Sequence, residues 1–184
     1  MTTLEKLILI QVKMNQQANI AVSNTLKKLS KEELMKKRGE HKHYKNLVDL
    51  YRHLLMGNYL CFVDFAKVIP NADFSVKEFT FEDAHKFEEV VDFDIINKAL
   101  LQSDNELVVA IEDNLSVVET DINFIYDTTL ALAISGWWGH ACHHRGQIGR
   151  IFDEMGIENH VFGNIIDYIT EDFKINTPEI FENM

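Results

Sequence analysis

The sequence predicts a mainly α-helical protein, and three observations carry that expectation. Apolar residues recur at three- and four-residue steps over long stretches. Only two prolines and eight glycines are present to interrupt them, which does not fit a turn-rich all-β fold. Hydrophobic residues make up 46% of the chain and charged residues 26%, the balance of a soluble globular protein. At 184 residues the whole chain, 1–184, reads as one domain able to bury a core without staples.

The first helix spans residues 3 to 29. Leu4, Ile8, Gln11, Asn15, Ala18, Val22, Leu26 and Leu29 form a bundle-type seam over almost four heptads. Gln11, Asn15 and Asn19 lie on or beside it, so each amide needs a partner to offset desolvation; they either specify register or border a polar pocket. Ser30-Lys31-Glu32-Glu33 has capping-box spacing and opens a short helix that Gly39 can close. A second long helix runs from about His41 to Lys67, with Leu50, Leu54, Gly57 and Cys61 on one side and His53 at its edge.

Pro70 to Phe79 reads as a loop, and Thr80-Phe-Glu-Asp83 caps a third helix reaching Gln102. Between Val108 and Phe124, β-branched residues flank the turn-like Asp113-Asn114, so a short hairpin or extended excursion is expected there. The fourth long helix starts near Asp127 or Thr128 and ends at Gly156 as C-terminal cap. One of its faces is small (Gly139, Cys142, Gly146 and Gly149), which suits close approach of another helix, within the chain or across a homodimer. The tail, 158–184, holds one short amphipathic helix over roughly Gly163 to Phe173 and frays after Pro178.

A net charge of −11 excludes nucleic-acid binding through general electrostatics, which needs clustered Lys and Arg. The basic run Lys27 to Lys45 is interrupted by Glu32, Glu33 and Glu40 and reads as a solvated face. No window is apolar enough to span a membrane, and the amino terminus lacks the layout of a signal peptide. Cys61 and Cys142 are too few for a disulfide framework, so a cytoplasmic protein is expected.

Chemistry concentrates in the fourth long helix, where His140, His143 and His144 fall within five residues. At about 100° per residue, His144 lies inside the apolar stripe of Leu130, Ala133, Trp137, Ile148 and Ile151, and His140 at its edge. His143 points away. Two inward imidazoles one turn apart suit chelation of one ion and need a third ligand from elsewhere. His53 is the candidate, with Gly57 leaving open volume one turn on; a partly exposed structural histidine is its plain alternative. Pairs that use His143 instead remain conceivable on a distorted helix. Arg145 sits off the metal face and reads as a structural salt-bridge donor or a surface residue.

These residues resemble the DinB/YfiT superfamily of bacterial four-helix-bundle metalloproteins. His140-Ala-Cys-His-His144-Arg145-Gly146-Gln147 is similar to that family's His-x-x-x-His-Arg-Gly-Gln signature, and Leu47-Val-Asp-Leu-Tyr-Arg-His53 stands where it has a histidine in its second long helix. Asn15-Gln-Gln-Ala18-Asn19 resembles its Asn-x-Trp-Ala-Asn segment, with Gln17 in place of Trp. The likeness covers about residues 4 to 157. It implies an up-down-down-up four-helix bundle and one divalent ion, zinc or nickel, held by His53, His140 and His144. It also implies a metal-dependent thiol S-transferase or related stress and detoxification enzyme using a low-molecular-weight thiol.

Three imidazoles with a vacant position describe a catalytic rather than a structural zinc site, and bound water or a thiol would be the group activated. Gln147 is placed to orient a ligand or water, and Asn15 or Asn19 to hold an imidazole. Two alternatives stand beside thiol transfer. One is a metal-dependent hydrolase, although no Glu accompanies the histidines as in HExxH. The other is a metal-binding bundle without turnover, with a structural or assembly role.

Overall fold

Helix α1 (Thr3–Leu26) begins where Thr2 and Glu5 cap each other: Glu5 N donates to Thr2 Oγ1 at 3.2 Å and Thr2 N to Glu5 Oε2 at 2.6 Å. In this computed structural model residues 1–38, 44–76, 80, 83, 86–87, 89–124 and 127–158 are described. Ser30 caps α2 (Lys31–Met35) by accepting from Glu33 N. Asn46 caps α3 (Leu47–Phe65) by accepting from Asp49 N, and Lys45 N donates to Asp49 Oδ2. Helix α4 (Phe93–Asp113) is followed by a 3-10 turn, Leu115–Val117. Strands β1 (Asp121–Asn123) and β2 (Asp127–Thr129) pair antiparallel, Ile122 opposite Thr128. Helix α5 (Leu130–Glu154) follows directly, capped by Thr129.

The C-terminus of α5 closes as a Schellman motif. Gly156 takes φ +67, its N–H donates to Asp153 O, and Ile157 N reaches back to Phe152 O. A left-handed residue is required there, which is why glycine follows the helix.

The protein is mainly helical, and the principal helix contacts pair α1 with α4 and α5, and α3 with α4 and α5. Two apolar clusters fill the interior. One gathers Ile8, Val12, Phe62, Phe65, Leu107, Ile134 and Trp137. The other gathers Val22, Leu26, Tyr51, Leu55, Leu100, Ile148 and Phe152. Between them along the helices lies a buried polar layer: Asn15 and Asn19 on α1, Asn58 on α3, Ser103 and Asp104 on α4, and Arg145 on α5. The histidines of the candidate site sit on α3 and α5 at this level of the chain. No helix among the described residues is long and apolar enough to cross a membrane.

Several expected boundaries move. Residues 44–46 are not helical and Asn46 is extended, so α3 starts at Leu47 rather than near His41, which itself lies outside the described residues with Gly39. Thr80 and Asp83 do cap each other, but the long helix opens later, at Asp92, whose carboxylate accepts from Asp94 N and Ile95 N. That helix continues through Val108 and Ile111, which the sequence places in an extended excursion. Their burial beside Leu107 outweighs the β-branched preference for strand, and among the described residues strand pairing is confined to Asp121–Asn123 and Asp127–Thr129. Asp127 and Thr128 belong to β2, so α5 begins at Leu130. At Gly139 and Gly146 nothing lies within 4 Å of an added Cβ among the described residues, so no helix of the described chain uses that part of the small face. The expected tail helix, Gly163 to Phe173, lies outside the described residues.

Candidate metal centre

His140 and His144 stand one turn apart on α5, and α3 brings His53 against them. His53 Nε2 lies 3.2 Å from His140 Nε2, and His144 Nε2 lies 3.1 Å from the same atom. All three ligand atoms fall within 4.8 Å of one another. The rings are tilted rather than stacked, at 60° to 77°, so their edges converge on one point. Nitrogens about 2.0–2.1 Å from a common ion stand about 3.3 Å apart when tetrahedral and about 3.0 Å when octahedral. The observed spacing fits that range. Three histidines here can therefore hold a metal ion.

The supporting groups favour the required protonation states. Gln147 Oε1 lies 2.8 Å from His144 Nδ1. A carbonyl oxygen only accepts, so Nδ1 carries the proton and the Nε2 lone pair is free to face the centre. The amide nitrogen of Gln147 donates to His143 Nε2 at 3.2 Å, which ties the exposed His143 to Gln147 and places it outside the three-histidine group. Burial, and then the neighbouring His143, lowers the pKa of His140, which keeps it the neutral base a metal needs. His144 is buried and His140 is the most exposed of the three.

Two residues shape the space around these rings. A Cβ at Gly57 would meet His140 Cε1 and Nδ1 at 3.3 Å, so the volume that the glycine leaves, expected to lie open beside His53, is taken up by the His140 ring from α5. Tyr44 lies over the cluster, 4.7 Å from the His53 ring and 5.3 Å, edge-on, from that of His144. Burial raises its pKa, so it presents a neutral phenol.

Asn15 and Asn19 do not support an imidazole. Their amide nitrogens donate to Asp104, Asn15 to Oδ1 at 3.0 Å and Asn19 to Oδ2 at 2.7 Å. Their amide oxygens accept from Arg145 Nη1 at 2.6 and 3.1 Å. Each asparagine thus bridges a guanidinium and a carboxylate, and its orientation is forced by both. Arg145 is correspondingly buried, at 4% exposure, and is no surface residue; its Nη2 also donates to Cys142 Sγ. Asn58 completes the layer, donating to Asp104 Oδ1 and Ser103 Oγ and accepting from Trp137 Nε1. This network ties all four long helices together beneath the histidines.

Asp104, Asn58 and Tyr44 were not singled out from sequence. The signal for Asp104 was indirect: two amides on the α1 seam needed a buried partner, and an acid beside the α4 seam of Ile96, Leu100 and Leu107 supplies it. Cys61 is unsuited to nucleophilic chemistry, because burial, and secondarily Asp64, pushes its thiol up to about 12.

Comparison with family models, with curated proteins and with solved structures finds no match to this chain.

Proposed function

We propose that this chain is a divalent-metal protein of the DinB/YfiT kind, an up-down-down-up four-helix bundle that holds one zinc or nickel ion and transfers a low-molecular-weight thiol to a small-molecule acceptor. The observation that carries the reading is the convergence of His53, His140 and His144 Nε2 atoms from two helices onto one point. The His140-x-x-x-His144-Arg145-Gly146-Gln147 pattern supports it, since Gln147 sets the tautomer of His144 and Arg145 locks α5 to the polar layer.

A bound ion supplies Lewis acidity that favours thiolate over thiol at neutral pH. The chain's residues do the rest. His53, His140 and His144 would hold the ion, Gln147 holds the His144 ring in register, and Tyr44, packed on His53 and His144, offers a neutral hydroxyl near the centre. The reading extends to a cytoplasmic protein. A homodimer is expected through the exposed small face of α5 at Gly139 and Gly146.

Elemental analysis of untagged protein beside His53→Ala and His144→Ala is the decisive test. Near-stoichiometric zinc or nickel in the parent, absent from both variants, establishes the centre; a parent that cannot be loaded rejects it. Small thiols added to the cobalt-substituted protein should then perturb its visible spectrum. A metal-bearing protein whose spectrum no thiol changes, and whose thermal stability falls on chelation, belongs instead to the non-catalytic reading, while ester hydrolysis lost with His53→Ala would favour a hydrolase.

A further inference from the structure

Beside the histidines lies a cavity of about 440 Å³, within the size range of small-molecule sites. Tyr44 and Gln147 belong to both places. They line the cavity, and they touch the ligating rings: Tyr44 packs on His53 and His144, and Gln147 hydrogen-bonds His144 Nδ1. A molecule seated in the cavity therefore contacts the residues that contact the centre.

The charge of the cavity wall runs against that of the chain. Acids outnumber Lys and Arg by 29 to 18 overall, yet Lys36, Lys37, Arg38 and Arg150 line this cavity with Glu154 as the one acid among its lining residues. Glu154 pairs with Arg150 at 3.1 Å, and Glu33, which is not among the lining residues, pairs with Lys36 and Arg38. Lys37 has no ion-pair partner among the described residues. Among the described residues positive charge is left in excess. Arg38 is also held in place, at 14% side-chain exposure, by bonds from Nη2 to the Glu33 carboxylate and main-chain oxygen and by its own N–H donating to Lys45 O. Its Nε is buried with no hydrogen-bond partner among the described residues. A guanidinium held in place, beside the exposed side chains of Lys36, Lys37 and Arg150, is an arrangement that receives carboxylate or phosphate oxygens. Leu50 and Ile151 add an apolar surface for a short carbon skeleton.

We propose that this cavity seats the anionic group, carboxylate or phosphate, of the small molecule that is brought to the three-histidine centre. The inference rests on the metal-site reading for the purpose of the seat, but the seat itself is tested separately. Succinate, inorganic phosphate and uncharged succinamide are titrated calorimetrically into the full chain as purified, into Lys37→Gln/Arg150→Gln, and into His53→Ala. Both residues of the double variant are exposed, so folding should be unaffected.

The expected result is saturable binding of succinate or phosphate, none of succinamide, and affinity about fivefold or more weaker in the double variant and at raised salt. His53→Ala should bind as the parent does. A stronger response to succinate identifies a carboxylate ligand, and to phosphate a phosphorylated one. No binding of either dianion at about 10 mM overturns the proposal. So does binding that disappears in His53→Ala but persists in the double variant, since the anion would then sit on the ion. A chain that binds dianions through Lys37 and Arg150 yet holds no metal keeps the seat and loses the centre; a metal-bearing chain that binds none does the reverse.

Discussion

Gly57 on α3 lies flush against the imidazole of His140 on α5: a Cβ at position 57 would stand 3.3 Å from both Cε1 and Nδ1 of that ring. The contact is tighter than ordinary van der Waals packing, so Gly57→Ala should displace the ring by a few tenths of an ångström. The same change removes a helix-interior glycine, worth roughly 0.5–1 kcal/mol in favour of alanine. The expected outcome is a melting temperature in the metal-free state that is unchanged or raised, together with metal affinity lowered about three- to tenfold. Chelator competition reads the second quantity, and unaltered affinity would show that Gly57 does not seat His140.

Gln147 links the buried His144 to the exposed His143. Gln147→Leu removes the acceptor that holds the proton on Nδ1, and metal affinity should fall about 10–100-fold with little change in helix content. Gln147→Glu keeps an acceptor at that point and should recover most of the loss. Equal affinities in both variants would remove the amide from the site's support.

Arg145 is where burial and charge meet. Replacement by Gln strips the cation from a layer in which Asp104 is fully buried and leaves two asparagine oxygens short of a donor. A loss of roughly 3–5 kcal/mol in unfolding free energy is expected. Urea denaturation measures it; a change within about 0.5 kcal/mol, as at an exposed arginine, would contradict the buried bridge.

Asp104 makes the stability depend on pH in an unusual direction. Burial raises its pKa from 3.8 to about 6, and the hydrogen bonds from Asn19, Asn58 and Asn15 together with the Arg145 charge only partly oppose that. The folded state therefore binds the proton more tightly than the unfolded chain between about pH 4 and 6. Unfolding in that window releases a proton, so this group's contribution to stability is largest at the acid end and declines as pH rises through the folded pKa. Relative to Asp104→Asn, the parent should lose roughly 2 kcal/mol between pH 4.5 and 7. A parent that gains on the variant over the same interval would mean that the donors dominate and the carboxylate is favoured.

Much of this architecture is legible along the chain because it depends on near neighbours. The caps at Ser30 and Gly156 and the α1 seam through Ile8, Val22 and Leu26 follow from turns of one helix at a time. So does the inward direction of His144 beside the outward direction of His143. The β-branched residues of Val108 to Ile111 misled for the same reason in reverse: local preference favoured strand, and burial against the neighbouring helices kept them helical.

Periodicity tells which face a residue occupies and says nothing of what that face meets. That Asn15 and Asn19 turn inward follows from the α1 seam; that they bridge Asp104 and Arg145, 85 to 130 residues away in sequence, was decided by packing. Likewise the spacing of His140 and His144 was set by helix pitch, while the approach of His53, the filling of the Gly57 gap by His140 and the placement of Tyr44 over the rings depend on how α3 docks against α5. Polar partners inside a protein are chosen by the need to satisfy every buried donor and acceptor at once, a condition on the assembled helices and not on any one of them.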